Sequence, residues 1–182
     1  MEYVMSVREA SAGQKKTTRR EGISESAKAE AGVSGKPWLK ESRYLRIFRA
    51  SPSERIALIR EGIAAESLVI TGMDMGMPKE RLLSFLHFPR STINRRISRK
   101  ECLPPEFSER MIGLEKLIGQ VEDIMADAEG VQNFNAAQWV AQWLELPLPA
   151  LANAKPADYM DTIEGQALVA GLLTRIQTGA YA

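Results

Sequence analysis

From Phe107 to Ala128, apolar side chains recur at alternating intervals of four and three: Phe107, Met111, Leu114, Ile118, Val121, Met125 and Ala128. A row with that period lies on one face of a helix and cannot lie on one face of a strand. The spacing predicts one long helix over 105–128, ended by Glu129-Gly130. So long an apolar row must be covered along its whole extent. It is either the central core helix of one protomer or, widened by Leu117 and Ile124, a coiled-coil-like dimer contact. Three heptads is short for a free coiled coil, so a core helix with partial dimer burial is expected.

Shorter helices precede it. Ser51-Pro52-Ser53-Glu54 combines an N-cap, a proline in the first turn and a glutamate at the third position. It opens a helix over 52–61 that is expected to turn Ile56 and Ile59 inward and to stop at Gly62. A second helix is predicted over 64–75, ending at Gly76, and Pro78 opens a third carrying Leu82, Leu83 and Leu86. His87-Phe88 breaks the chain, and Pro89 starts a basic helix, Arg90-Ser-Thr-Ile-Asn-Arg-Arg-Ile97. Helix, short break and basic helix is the outline of a helix-turn-helix. With Ile93 and Ile97 facing the core, Arg95, Ser91 and Arg99 point away, Thr92 and Ser98 follow, and Asn94 and Arg96 flank them. Guanidinium, hydroxyl and amide groups are what contact base edges and phosphates. Taken alone, an ordinary solvated basic face is the simpler reading. The DNA-facing candidates are Arg90, Ser91, Thr92, Asn94, Arg95, Arg96, Arg99 and Lys100.

The last fifth of the chain has its own punctuation. Asn135-Ala-Ala-Gln138 reads as a capping box, with Phe134 and Trp139 at the staple positions on either side. Trp139, Val140, Trp143 and Leu144 then share one face. Pro147 and Pro149 end that helix, and Lys155-Pro156-Ala157-Asp158-Tyr159-Met160 reads as a single turn. Thr162 can cap a last helix over 163–178, lined by Ile163, Ala167, Ala170, Leu173 and Ile176 and stopped by Gly179. Most such stripes are simply core.

This block resembles the toxin-binding domain of the Xre/MbcA/ParS family of bacterial antitoxins. The resemblance is carried by Ala137, Trp143-Leu144, Pro147, Ala150-Leu151, Pro156, Asp158-Tyr159-Met160, Thr162, Gly165, Val169, Leu172-Leu173, Ile176 and Gly179-Ala180-Tyr181. Where the family usually has a Gly-Gly pair before the loop proline, this chain has Ala152-Asn153-Ala154-Lys155, and Asn153 suits a left-handed conformation. Arg95-Arg96 and Leu103-Pro104-Pro105-Glu106-Phe107-Ser108-Glu109-Arg110 look like the family's arginine pair and the segment that follows it. The turn His87-Phe88-Pro89 departs from the usual small-residue pattern. The resemblance implies an Xre-like helix-turn-helix and a C-terminal domain that occludes the active site of a RES-domain toxin, one that consumes NAD or transfers ADP-ribose. It also implies a toxin face of Leu151, Asn153, Lys155, Arg175, Gly179, Ala180, Tyr181 and Ala182, with the tail entering the toxin's cleft.

The net charge of +1 hides a split: residues 1–100 hold 20 Lys and Arg against 11 Asp and Glu, while residues 101–182 hold 4 against 12. The halves suit different partners, a polyanion and a basic protein surface. Residues 1–36 are too poor in large apolar groups to offset their ordering entropy, so a mobile basic tail is expected. Trp38, Leu39, Tyr44, Leu45, Ile47 and Phe48 are expected to dock on the body as a short helix or arm. No run approaches the ~18 apolar residues of a membrane span, and no signal-peptide pattern opens the chain, so the cytoplasm is expected. One cysteine, Cys102, allows no internal disulfide. One cysteine and one histidine, His87, build no common zinc site, and no glycine-rich phosphate loop is present.

The expectation is therefore an all-α protein, not an enzyme, with no cofactor. Its units are a flexible tail and arm over 1–50, a helix-turn-helix unit over 51–130 and a toxin-binding unit over 131–182. The expected activity is that of a type II antitoxin, a homodimer that occludes its toxin and binds the operator DNA of its own operon. The alternative is a helix-turn-helix regulator with no toxin partner.

Overall fold

The computed structural model describes residues 41–126 and 134–177. The basic tail, Trp38, Leu39, Ala128 and Gly179–Ala182 lie outside the described residues. The described residues form eight α-helices and two short 3₁₀ turns, with no β-strand among them. The helices are α1 (Arg43–Arg49), α2 (Pro52–Glu61), α3 (Ser67–Asp74), α4 (Lys79–Phe85), α5 (Arg90–Ser98), α6 (Pro105–Ala126), α7 (Ala136–Trp143) and α8 (Ile163–Gln177). The 3₁₀ turns, Pro149–Leu151 and Pro156–Tyr159, lie between α7 and α8.

The apolar row of α6 is spent inside the protomer. Met111, Leu114, Leu117, Ile118 and Val121 are all buried, with Phe107 and Met125 packed against the same core. Helices α1, α2, α7 and α8 all pack on α6. One continuous core runs from Tyr44 through Leu82, Leu86 and Ile93 to Trp143, Val169 and Leu173.

The arm helix α1 is tied down harder than its apolar cluster implies. It crosses α6 at Gly119, where an added Cβ would lie 2.1 Å from the Tyr44 carbonyl oxygen. The Arg43 guanidinium reaches the Thr71 hydroxyl at 2.5 Å and the buried Glu115 carboxylate at 3.3 Å, while the Tyr44 hydroxyl donates to Asp74 at 2.5 Å. This cluster stitches α1 to α3 and α6. Burial pushes the Glu115 carboxyl up, opposed by Arg43 and the Thr71 hydrogen bond.

A clasp of residues 63–65 against 101–103 closes the helices α3 to α5 into a unit. Leu103 N–H donates to the Ile63 carbonyl at 2.7 Å, and Ala65 N–H to the Glu101 carbonyl at 3.0 Å. The Ser108 hydroxyl seals it, accepting from Ile63 N–H and donating to the Leu103 carbonyl, each at 3.1 Å. The clasp is why α3 begins at Ser67 and not at Ala64: residues 63–65 are engaged in it.

Two expectations about phase are corrected. The capping box at Ser51 and Glu54 forms, but α2 buries no residue, and Ile56 stays 46% exposed because the helix rests on α6 along one edge only. In α8 the buried face is Gly165, Gln166, Val169, Leu172 and Leu173, while Ile163 and Ala167 are exposed. Two contacts set that phase. Gly165 lets the Tyr159 carbonyl approach to within 2.0 Å of where a Cβ would stand. The Gln166 amide donates to the carbonyls of Arg110 and Met160, each at 2.9 Å.

Candidate functional site

Two surfaces carry the sequence candidates. The first is built on α4, the turn 86–89 and α5. Phe88 plugs the turn: it is buried, its ring stands 4.9 Å from that of Phe107, and Arg110 lies over both rings. The Arg110 guanidinium also donates to the Leu86 carbonyl at 2.8 Å. His87 takes a left-handed φ of 48°, which pushes its ring outward. On α5, Ile93 is buried and Ile97 packs against the core. Arg90, Ser91, Asn94, Arg95, Ser98, Arg99 and Lys100 are exposed, and Thr92 is half-buried.

The candidates on this helix are not equivalent. Arg96 is half-buried and turned to its own loop, donating to the Cys102 carbonyl at 2.9 Å and to Glu101 at 3.3 Å. Asn94 accepts from the Lys79 ammonium at 2.7 Å, and Arg99 lies 3.8 Å from Glu101. Arg90, Arg95 and Lys100 form no ion pair among the described residues.

The second surface is the loop after α7 together with α8. Asn135 caps α7, accepting from Gln138 N–H at 3.0 Å, though the Gln138 side chain does not close the reciprocal bond. Phe134 and Trp139 meet with ring centroids 6.4 Å apart, and Trp139 stacks on the buried Trp143 at 5.8 Å. The loop then folds back on itself. Leu148 N–H donates to the Ala154 carbonyl at 3.1 Å, and Asn153 N–H to the Leu148 carbonyl at 2.9 Å. Leu151 is buried as the anchor of this loop, while Ala152, Asn153 and Lys155 stand exposed. Ala152 and Asn153 both have left-handed φ, 52° and 64°. Both lie in the stretch Ala152–Lys155 that stands where the resembled family has a Gly-Gly pair, and their backbone takes a conformation that glycine would favour. Arg175 is exposed in the last turn of α8. Gly179, Ala180, Tyr181 and Ala182 lie outside the described residues.

Sequence reasoning missed two side-chain contacts that join the surfaces. Glu145 accepts from Arg81 of α4 at 2.7 Å through one carboxylate oxygen and from Lys155 at 3.0 Å through the other. The Arg81 hydrogen bond holds the Glu145 carboxyl below the usual range, with Lys155 adding to it and burial opposing. His87 of the turn meets Asp161, just ahead of α8, at 3.0 Å. Partners 64 and 74 positions apart leave no periodic trace in a sequence. Among the described residues no three His, Cys, Asp or Glu side chains converge on a metal site, and no helix is long and apolar enough to cross a membrane.

Residues 130–179 match the family model described as the antitoxin Xre/MbcA/ParS C-terminal toxin-binding domain. Over 139 residues the chain is 38% identical to the Prs ADP-ribosylating antitoxin of Sphingobium sp. (strain YBL2), an alignment that covers 76% of this chain and 87% of that protein.

Proposed function

The chain belongs to the Xre/MbcA/ParS-type antitoxins, the antitoxin half of a toxin-antitoxin system, and from that premise we propose how it divides its work. The C-terminal lobe, α7 to α8, binds and occludes the active site of a RES-domain toxin that transfers ADP-ribose from NAD. The observation that carries this reading is the overlap of the matched residues, 130–179, with the lobe that presents Asn153, Lys155 and Arg175. The Sphingobium relative, a Prs ADP-ribosylating antitoxin by name, supports ADP-ribosylation as the toxin's activity. Neutralisation is steric: the antitoxin contributes surface and a tail, Gly179–Ala182, that denies NAD its cleft. The acidic C-terminal half suits a cleft that needs positive charge for a pyrophosphate.

The helix-turn-helix α4–α5 binds the operator of the shared operon in the cytoplasm, with Arg90, Ser91, Arg95 and Lys100 meeting DNA. Arg96 acts on the shape of the unit through its bond to the Cys102 carbonyl. A homodimer presents two such helices to two half-sites. Its contact falls on apolar positions left open side by side on α2 and α8, Ile56 and Ile163, since the α6 row is covered within the protomer.

Two measurements test the reading. In growth rescue by co-expression with the toxin of the same operon, deletion of Gly179–Ala182 weakens rescue while the melting temperature holds. Full rescue by a stable truncation moves neutralisation to the loop 148–155 and α8. In gel-shift titration of the upstream DNA, Arg95→Ala loses about 1–3 kcal/mol of affinity, and binding falls steeply with salt. Unchanged binding by Arg95→Ala together with Arg90→Ala rejects α5 as the DNA helix.

A further inference from the structure

Glu145 follows the C-cap of α7, beside the end of the helix where unpaired carbonyls gather negative charge. A carboxylate is disfavoured there on local grounds. It is held by cations from two other elements, Arg81 of α4 and Lys155 of the loop, one on each oxygen. Glu145 is the hub of the three, its side chain 24% exposed against 53% for Arg81 and 46% for Lys155. Pairs as open as these contribute little to stability. What the fork does fix is position.

Lys155 is the residue at which the loop closes. The carbonyl before it, on Ala154, accepts from Leu148 N–H, and its own N–H donates to Asp158 at 3.2 Å, starting the turn Pro156–Tyr159. Holding its ammonium on Glu145 therefore sets the loop and the turn together. An ammonium has three donors; one goes to Glu145, and the rest remain for a partner.

We propose that Glu145 and Arg81 are positioning residues for toxin recognition, holding Lys155 at the rim of the loop 148–155 as a preset cation for an acidic group of the toxin. The proposal rests on the reading that this loop meets the toxin. Through Arg81, the same fork anchors the toxin-facing loop to a helix of the DNA-reading unit. Preorganisation of a charged contact improves affinity by removing ordering cost at the moment of binding.

Calorimetric titration of the full-length antitoxin with the purified toxin of its operon tests this, with thermal melts alongside. Lys155→Met is expected to weaken binding about tenfold. Glu145→Gln, which keeps shape and removes charge, is expected to weaken it about fivefold, and Arg81→Met about two- to threefold, with Arg81→Lys recovering most of the loss. In the Lys155→Met background, Glu145→Gln adds no further loss, a signature that general loosening of the fold does not produce. Wild-type or tighter binding by Glu145→Gln, or a full additional loss on top of a weakened Lys155→Met, overturns the fork and leaves the loop reading standing. Wild-type binding by both Lys155→Met and Asn153→Ala overturns the loop reading and the fork together.

Discussion

Ala152 holds a backbone conformation that its own side chain opposes. A left-handed φ of 52° brings its Cβ against the neighbouring carbonyl, a conflict glycine lacks. Ala152→Gly is therefore expected to stabilise the protein by about 0.5–1 kcal/mol, the relief outweighing the greater freedom of the unfolded chain. Urea unfolding measures it, and a loss of stability would show that the loop does not hold that turn in solution. Asn153 tolerates the same region and needs no such relief. Glu115 stores a different tension, a buried carboxylate held by Arg43 and Thr71. Burial raises its pKa in the folded state, so as pH falls from neutral the folded protein binds this proton before the unfolded chain does. Stability therefore rises as pH falls between the raised value and the ordinary glutamate range. Glu122, also raised by burial, adds to the trend. Glu145 has the opposite sign: because its pKa is lowered in the folded state, its contribution is full above the ordinary glutamate range and is lost as pH falls from there through the lowered value. Thermal melts across the mild-acid range should show a rise that Glu115→Gln flattens; an unchanged slope in that variant would rule out Glu115 as its source.

Helix crossings decide what a substitution does more than helix propensity does. Gly119 lies under the Tyr44 carbonyl, and a methyl group there forces α1 away from α6. Gly119→Ala is expected to cost about 1–3 kcal/mol by overpacking, with hydrogen exchange quickening across Arg43–Arg49. Gly171, in the middle of α8, has nothing within 4 Å of an added Cβ. The same change there should stabilise by about 1 kcal/mol through helix propensity alone. Equal effects at the two sites would contradict the α1–α6 crossing. Elements whose partner is a single neighbouring stripe were legible from sequence. The α6 row, the Ser51 and Asn135 caps and the Ile93–Ile97 face of α5 all follow from local periodicity and capping chemistry. The phase of α8 was not legible. Gln166 enters the buried face only because Arg110 and Met160 offer carbonyls to its amide, and no rule of apolar spacing marks such a residue. Ile56 misled for a related reason: a helix that meets the body along one edge leaves part of its apolar face open.

At the scale of the whole molecule, helices α4–α5 and the C-terminal lobe share one interior. Met111, Leu114 and Ile118 of α6 belong to the same core as Leu86 and Phe88 on one side and Trp143, Val169 and Leu172 on the other. Gln166 and Gln120 carry hydrogen bonds between α6 and α8, and Glu145 and Asp161 reach back to Arg81 and His87. The charge asymmetry of the sequence suits two different partners, and it does not require two folding units. That coupling was not legible from sequence, since each contact joins residues dozens of positions apart. A shared core predicts a shared transition, because neither lobe keeps its buried face covered without α6. Urea unfolding followed by near-ultraviolet signals from Trp139 and Trp143 should therefore coincide with unfolding followed by far-ultraviolet helix content. Trp143→Ala, which opens a cavity beside Trp139, should lower that one midpoint by an amount equivalent to about 3–5 kcal/mol. It should also shift both probes together. A tryptophan transition that moves alone, leaving helix loss at its wild-type midpoint, would mean the C-terminal lobe unfolds by itself. Binding a toxin would then stabilise that lobe without reaching α4 and α5. With coincident transitions, any partner that stabilises the lobe also stabilises the α5 surface proposed to meet DNA, because ligand binding to the native state adds to the stability of the whole cooperative unit.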